Sequence, residues 1–462
     1  MVKIGLEVHV AISNVKTKMF CGCVNNVVAE PNTNVCPTCM GMPGSKPRIN
    51  KAVIDSAIKI SIALNCKVRN KMFFSRKSYF YNDMAKNFQI SQYEVPLAEN
   101  GIVEIDSKKI RIRRVHMEED PGKIIHIGGG IINADYTLID YNRSGVPLCE
   151  IVTQPDFETP KQAREFLDKI SSVLEYLEVY NALREGALRV DANISTSGER
   201  VEIKNISGFR DVEKALQYEI TRQENMTRRG QQIIQETRTW DSGSNTTKLL
   251  RKKEHEEDYG YITENDLPMI TIKQSRLDEI KKQIPEMAPE KVKRYQKQYR
   301  ISKETAISIA HDPFLAEMFE QVVKKTDPEI TGKIFAGVLL KTLNYNNIRI
   351  QQTNIRAEDI LDILEKLEKK QITERVAELA LRKIAEGKNT EKFLRDMDTI
   401  SDKKQLKDII KIVLKKNIKA VNDVKSGKPE AMNFLLGQVM KETKNRADQK
   451  TVREIIEKYI EK

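Results

Sequence analysis

The sequence predicts an α+β fold in which an antiparallel-sheet domain with a cysteine knuckle precedes regions built of helices alone. Three observations predict it. Up to about Pro268 the chain runs in short apolar/polar alternations broken by Gly, Asn and Pro, whereas beyond Leu267-Pro268 apolar residues recur at three- and four-residue steps. Four cysteines stand near the start in two close pairs, Cys21 and Cys23 in FCGC and Cys36 and Cys39 in CPTC. At 462 residues the chain is too long for one ordinary core, so about three domains are expected. We place them at 1–290 (the sheet domain, with the knuckle at 21–39), 291–350 (helical) and 351–462 (a helical tail).

The first strand is KIGLEVHV, where Ile4, Leu6, Val8 and Val10 share one face and Glu7 and His9 the other. The cysteine pairs follow. Two close pairs across a short excursion bring four thiolates onto one tetrahedral ion, so the segment reads as a structural zinc knuckle with no open position for chemistry. Two disulfides or four free thiols are the alternatives. Cys66 and Cys149 lack partners at ligand spacing and read as buried small side chains. No stretch is apolar enough to span a bilayer and the N-terminus lacks a signal-peptide core, which predicts a cytoplasmic protein with reduced thiols and no membrane partner.

RKSYFYNDMAKNFQISQYEVPL interleaves Arg76, Lys77 and Lys86 with five aromatic residues, a composition that suits a nucleotide or an RNA end. HMEEDPGK, His116 to Lys123, carries three adjacent carboxylates before a Pro-Gly turn, and these repel unless a cation lies close; alternation leaves Glu118 and Glu119 undecided, because Arg113-Arg114 breaks the pattern before them. DYNRSGVPLCEIV places Arg143 in a glycine turn, where it suits a carboxylate or phosphate. A helix follows, with Thr159 and Gln162 as a capping box around Pro160 and apolar residues from Ala163 to Leu177.

LRVDANI and VEIKNI, joined through Ser197-Gly198, read as a hairpin. The apolar alternation sets Asn193 across from Glu202 and Asp191 across from Lys204, with Arg189 on the same face. A solvated outer sheet face is the bland reading; a histidine between carboxylates on a sheet already covered by a helix favours a site. No Walker A loop is present, so a nucleotide would be held by carboxylate-bound magnesium and basic side chains.

Helices continue in Arg300–Leu343, then after a polar linker at Asn344–Thr353 in Ile360–Leu367, Thr373–Glu386 closed by Gly387, Leu406–Leu414 and Pro429–Met440. The net charge is +12 with a pI near 9.1. Ser401 to Lys462 holds 16 Lys and Arg against 9 Asp and Glu, whereas Gln351 to Ile400 holds 10 against 11, so over half of the surplus sits in the last segment. Such a surface fits a polyanion.

Taken together, GLEVHV, FCGC with CPTC, RKSYFYNDMAKNFQISQY, HMEED with PGK, DYNRSGVPLCEIV, EGALRVDANIS, EIKNISGFRDVEKALQYEI and QETRTWD resemble the B-subunit family of the aspartyl/glutamyl-tRNA amidotransferases. The motifs run in order over essentially the whole chain, and SGKPEAMNFLLGQVMKET is similar to that family's C-terminal, tRNA-contacting domain. One departure stands out: EEDYGYITENDLP from Glu256 carries Gly260 where relatives have arginine and Thr263 where they have proline.

The resemblance implies a cradle of antiparallel sheet related to glutamine synthetase. It also implies a ligase component that uses ATP and magnesium to phosphorylate the side-chain carboxylate of Glu-tRNA(Gln), Asp-tRNA(Asn) or both. Ammonia from a partner amidase (glutaminase) then displaces phosphate, in a heterotrimer completed by a small clamp-like chain, and the non-discriminating aminoacyl-tRNA synthetase is a further partner it admits. Carried over, the magnesium site falls on Glu7, His9, Glu119 and Glu202, the phosphate-facing cations on Lys77, Arg143, Arg189 and Lys204, and the nucleotide site on Glu7, Glu119, Asp191, Asn193, Lys204 and Asn205. The alternative is a zinc-containing tRNA-binding adaptor without a catalytic centre.

Overall fold

The computed structural model describes residues 2–105, 108–128, 134–184, 186–252, 260–388, 390, 393–394, 403–426 and 428–460. They form two compact units, Met1–Glu286 and Met287–Lys462. No helix among them is long and apolar enough to cross a membrane.

In the first unit the strands are β1 (Lys3–Ala11), β2 (Lys67–Val68), β3 (Lys71–Met72), β4 (Ser75–Ser78), β5 (Phe88–Ser91), β6 (Ala98–Ile105), β7 (Lys108–Glu119) and β8 (Lys123–Ile127). They continue with β9 (Tyr136–Asp140), β10 (Pro147–Thr153), β11 (Leu188–Ser195), β12 (Val201–Ile206), β13 (Glu236–Asp241), β14 (Thr246–Lys252), β15 (Gly260–Thr263) and β16 (Ile270–Thr271). Nine make one sheet in the order β14-β13-β12-β11-β1-β10-β7-β6-β2. The pairing is antiparallel except between β12 and β13, which run parallel, so the sheet is mixed where alternation alone predicted it antiparallel throughout. A crossover helix between those strands is the reason, since parallel neighbours need one.

That helix is α3 (Phe209–Arg228), and it packs on α2 (Pro160–Tyr176) and on β11, β12 and β14. Helix α2 begins as the sequence predicts, with the Thr159 hydroxyl accepting from the Gln162 amide and Pro160 in the first turn. Its stripe of Ala163, Phe166, Leu167, Ile170 and Leu174 is buried, as are Ile4, Leu6, Val8 and Val10 of β1. Each such large side chain contributes about 1.5–3 kcal/mol by leaving water. With one face of β1 committed to this core, Glu7 and His9 emerge on the other.

The β11–β12 hairpin pairs Asn193 with Glu202, the predicted register. Between Val190 and Ala192 the ladder slips by a bulge, and Asn205 on the partner strand takes a left-handed φ of 60°. A separate three-stranded sheet, β15-β4-β5, carries Lys77, and Gly260 and Thr263 lie in it opposite Ser78 and Ser75. Glu256 to Tyr259, at the head of the divergent motif, lie outside the described residues.

The second unit is helical. One core joins residues from Tyr295 to Leu394 and another those from Leu406 to Ile456. Ile350, inside the segment read as a polar linker, is buried in the first core next to Ile355 and Ala357. Thr373 caps the helix Glu374–Ala385, which Gly387 follows at φ 75°. Helices also occupy Ile418–Lys425 and Gln449–Ile460, which the periodicity did not single out.

Candidate functional site

Register brings the polar residues of β1 into rows. Across one row lie Arg189, His9, Glu150 and His116, contributed by β11, β1, β10 and β7; in the next, Glu7 stands opposite Asp191. Because directly paired residues share a face, these side chains converge on one surface.

Two groups result. Glu7, Asp191 and Glu202 place a carboxylate oxygen each within 4.8 Å of one another, as His9, Glu118 and Glu150 do with a ring nitrogen and two oxygens. In the first group Lys204 Nζ lies 2.9 Å from both Asp191 and Glu202, Asn193 donates its amide to Glu7 at 3.0 Å, and Thr237 donates its hydroxyl to Glu202 at 3.1 Å. In the second, His9 Nε2 is 3.8 Å from Glu118 and 3.6 Å from Glu150, which also meets His116 at 2.9 Å.

The electrostatics follow from burial and crowding. Burial first, and then Glu150, push the Glu7 carboxyl up, while Lys204 pulls it down. Burial opposes a charge on Lys204, yet Asp191, Glu202 and Glu7 hold its ammonium well above the usual range. Glu150 is held well below the carboxylate range by His116 and His9 although burial opposes this. His9 is raised in turn, Glu150 and Glu118 outweighing burial. Buried Asn193 Oδ1 and His116 Nδ1 have no hydrogen-bond partner among the described residues.

Other predicted residues fall around this surface. Glu119 does not join either group: by alternation it leaves β7 on the opposite side from Glu118, where Lys86 and the Ile90 amide hold its Oε1. Glu118 takes the place beside His9 that the sequence reading gave to its neighbour. Arg189 meets Asp120 at 2.7 Å. Arg143 is tied to the carbonyls of Pro121 and Gly122 at 3.0 and 2.6 Å, so it braces the Asp120–Gly122 turn. Asn205 donates to the Thr239 hydroxyl at 3.2 Å. Lys77, in the small sheet, has its Nζ 5.9 Å from the Tyr79 ring centre. Sequence reasoning missed Glu150 and His116. The signal was available in PLCEIVT, where Glu150 interrupts a wholly buried strand.

The second metal-capable site is the knuckle. The sulfurs of Cys21, Cys23, Cys36 and Cys39 all lie within 4.8 Å of one another, and all four thiols are free. A tetrahedral zinc–thiolate centre needs sulfurs about 3.8 Å apart, which this clustering admits. Cys39 is lowered to about 5, chiefly because Cys21 donates to its sulfur, and Cys21 is pushed up by the same bond. Cys39 is therefore the thiol readiest to give up its proton, while Cys21 and Cys23, both pushed up, would lose theirs only to a bound metal.

Residues 2–278 match the family described as the GatB/GatE catalytic domain, and residues 317–460 the one described as the GatB domain. The chain is similar to B subunits of aspartyl/glutamyl-tRNA(Asn/Gln) amidotransferase. That of Sulfolobus acidocaldarius is 42% identical over 100% of both chains, and that of Thermotoga petrophila 41% identical over 99% of this chain and 98% of its own. A third, from Methanococcoides burtonii, is 41% identical over 98% of this chain and 97% of its own. The chain belongs to the B-subunit family of the aspartyl/glutamyl-tRNA(Asn/Gln) amidotransferases.

Proposed function

We propose that this protein activates the side-chain carboxylate of Glu on tRNA(Gln), of Asp on tRNA(Asn), or of both, with ATP, and then completes its amidation. The observation that carries the reading is the convergence of two metal-capable groups and the Lys204 ammonium on one sheet face. Its donors fit hard divalent cations: five carboxylates, one imidazole, and the orphaned Asn193 Oδ1 beside Glu7. Glu7, Asp191 and Glu202 would hold one magnesium ion and His9, Glu118 and Glu150 another. Bound there, magnesium supplies charge neutralisation for phosphoryl transfer.

A carboxylate is a poor acyl donor because oxide is a poor leaving group, and phosphorylation removes that obstacle. A substrate carboxylate oxygen forms a bond to the γ-phosphorus of ATP while the bond to ADP breaks, its electron pair staying with ADP. Lys204 and Arg189 meet phosphate oxygens by exchanging a carboxylate partner for them. Ammonia then attacks the acyl carbon, phosphate departs with the C–O electron pair, and the surplus proton passes to phosphate. The ammonia comes from a partner amidase, with a small third chain in the complex. The basic segment from Ser401 to Lys462 binds the tRNA body, and the cysteine set holds zinc structurally.

The test is phosphate release from γ-labelled ATP by the reconstituted complex with each mischarged tRNA. Glu7→Gln and Glu118→Gln should abolish tRNA-dependent release while the partner's glutaminase activity persists. Normal ATP turnover in both variants would favour the adaptor reading instead.

A further inference from the structure

Among the described residues, Lys18 is the only lysine or arginine that is buried as a whole residue, with none of its surface exposed. Its ammonium donates to the Asn34 carbonyl at 2.9 Å and lies 3.8 Å from Cys39 Sγ. No carboxylate pairs with it among the described residues. A buried cation with one carbonyl for company is costly unless a negative charge lies near. The cysteine set provides that charge.

A divalent ion on four thiolates leaves two surplus negative charges, and on the Cys39 side, the one buried cysteine of the four, water is least able to screen them. The Cys36 amide, donating to Cys39 Sγ at 3.1 Å, disperses part of this charge. We propose that Lys18 is the buried counter-charge of the cysteine centre, offsetting one of the two surplus charges and thereby setting the centre's metal affinity. The inference rests on the knuckle being a metal centre. It also gives the knuckle a fixed seat. Lys18 and Cys39 both pack against Gly145, whose φ of 86° turns the chain there. Met19 donates to the Gly145 carbonyl at 2.9 Å, and Ser144 to that of Cys39 at 3.1 Å. The metal charge, its counter-charge and the turn that carries Arg143 are thus one packed unit.

The test uses full-length protein with Lys18→Met and with Lys18→Gln, which keeps a donor for Asn34; Lys16→Met, at an exposed position, is the control. Zinc affinity, read by competition with a chromogenic chelator, should fall about 10–100-fold in both Lys18 variants and stay unchanged in the control. In iron-substituted protein the reduced centre carries one more negative charge than the oxidised one, so loss of a nearby cation should move the reduction potential to more negative values. Unchanged affinity overturns the proposal. So does weakened affinity at an unchanged potential, which would mean that Lys18 acts through packing alone. Wild-type protein that takes up no zinc overturns the metal-centre reading and the inference with it.

Discussion

Glu118 and Glu119 are adjacent carboxylates with opposite assignments, and substituting each should give opposite phenotypes. Glu119 and Lys86 are nearly buried, at 4% and 6% side-chain exposure, and paired. Glu119→Ala leaves the ammonium and the Ile90 amide without their acceptor, a change that costs about 3–5 kcal/mol. At about 2–4 °C per kcal/mol, Tm should fall by about 6–20 °C. Glu118→Gln keeps shape and removes a charge that crowds Glu150 across His9, so the metal-free protein should melt close to the wild type. Magnesium separates them further. At about 100 times its Kd the ion stabilises the native state by about 2.7 kcal/mol; a variant bound a hundredfold more weakly keeps about 0.4 kcal/mol. Thermal melts with and without magnesium should therefore show a low baseline with an intact magnesium increment for Glu119→Ala, and a normal baseline with the share of the His9, Glu118 and Glu150 ion lost from the increment for Glu118→Gln. The reverse pattern would refute the assignment.

Lys204→Met should destabilise the metal-free protein by leaving Asp191, Glu202 and Glu7 uncompensated, and magnesium should restore more stability to it than to the wild type, as calorimetry would read. Glu320 is held below the usual carboxylate range by Lys291, Tyr295 and Arg294 although burial opposes this. Its contribution is thus present above the unfolded carboxyl pKa and lost as pH falls through the lower folded value, and Glu320→Gln should flatten that acid limb of the Tm–pH curve. A chain ending before Lys403 loses the core from Leu406 to Ile456 and the Asn445 carbonyl that accepts from Thr373, but keeps the core around Tyr295, and should stay folded while its salt-dependent tRNA affinity drops. One ending before Ala357 also strips Ile360, Ile363 and Leu364 from the core around Tyr295 and should aggregate; light scattering and filter binding distinguish the two.

Legibility followed the strength of local constraint. The β1 face and the β11–β12 hairpin were readable because alternation fixes both face and register. The α2 start was readable because its cap chemistry is specific. Helix α1 (Lys51–Ala63) was not singled out: Lys51, Asp55 and Lys59 make only a narrow polar stripe beside buried Val53, Ile54, Ile58 and Ile60, and its β-branched run is as compatible with a strand. The linker reading missed Ile350 because one apolar side chain in a polar run carries no period. At the site, Glu7, His9, Asp191, Glu202 and Lys204 could be grouped from two strands and the first. Glu150 stood out as the one charge in PLCEIVT, but setting it, Glu118 and His116 beside His9 required the order of β1, β10 and β7, which only the long-range pairing supplies. The parallel β12–β13 pair was hidden for the same reason.

That β1 sits between β10 and β11 has a consequence for biosynthesis. β1 leaves the ribosome well before its neighbours and finds its partners only when Pro147–Thr153 and Leu188–Ser195 have been made. At about 5–20 residues per second, the interval is roughly 10–40 s, during which an apolar strand with both edges open is exposed to aggregation. Codon tempo and chaperone capture over this window, rather than final stability, should therefore govern how much of the nascent protein matures.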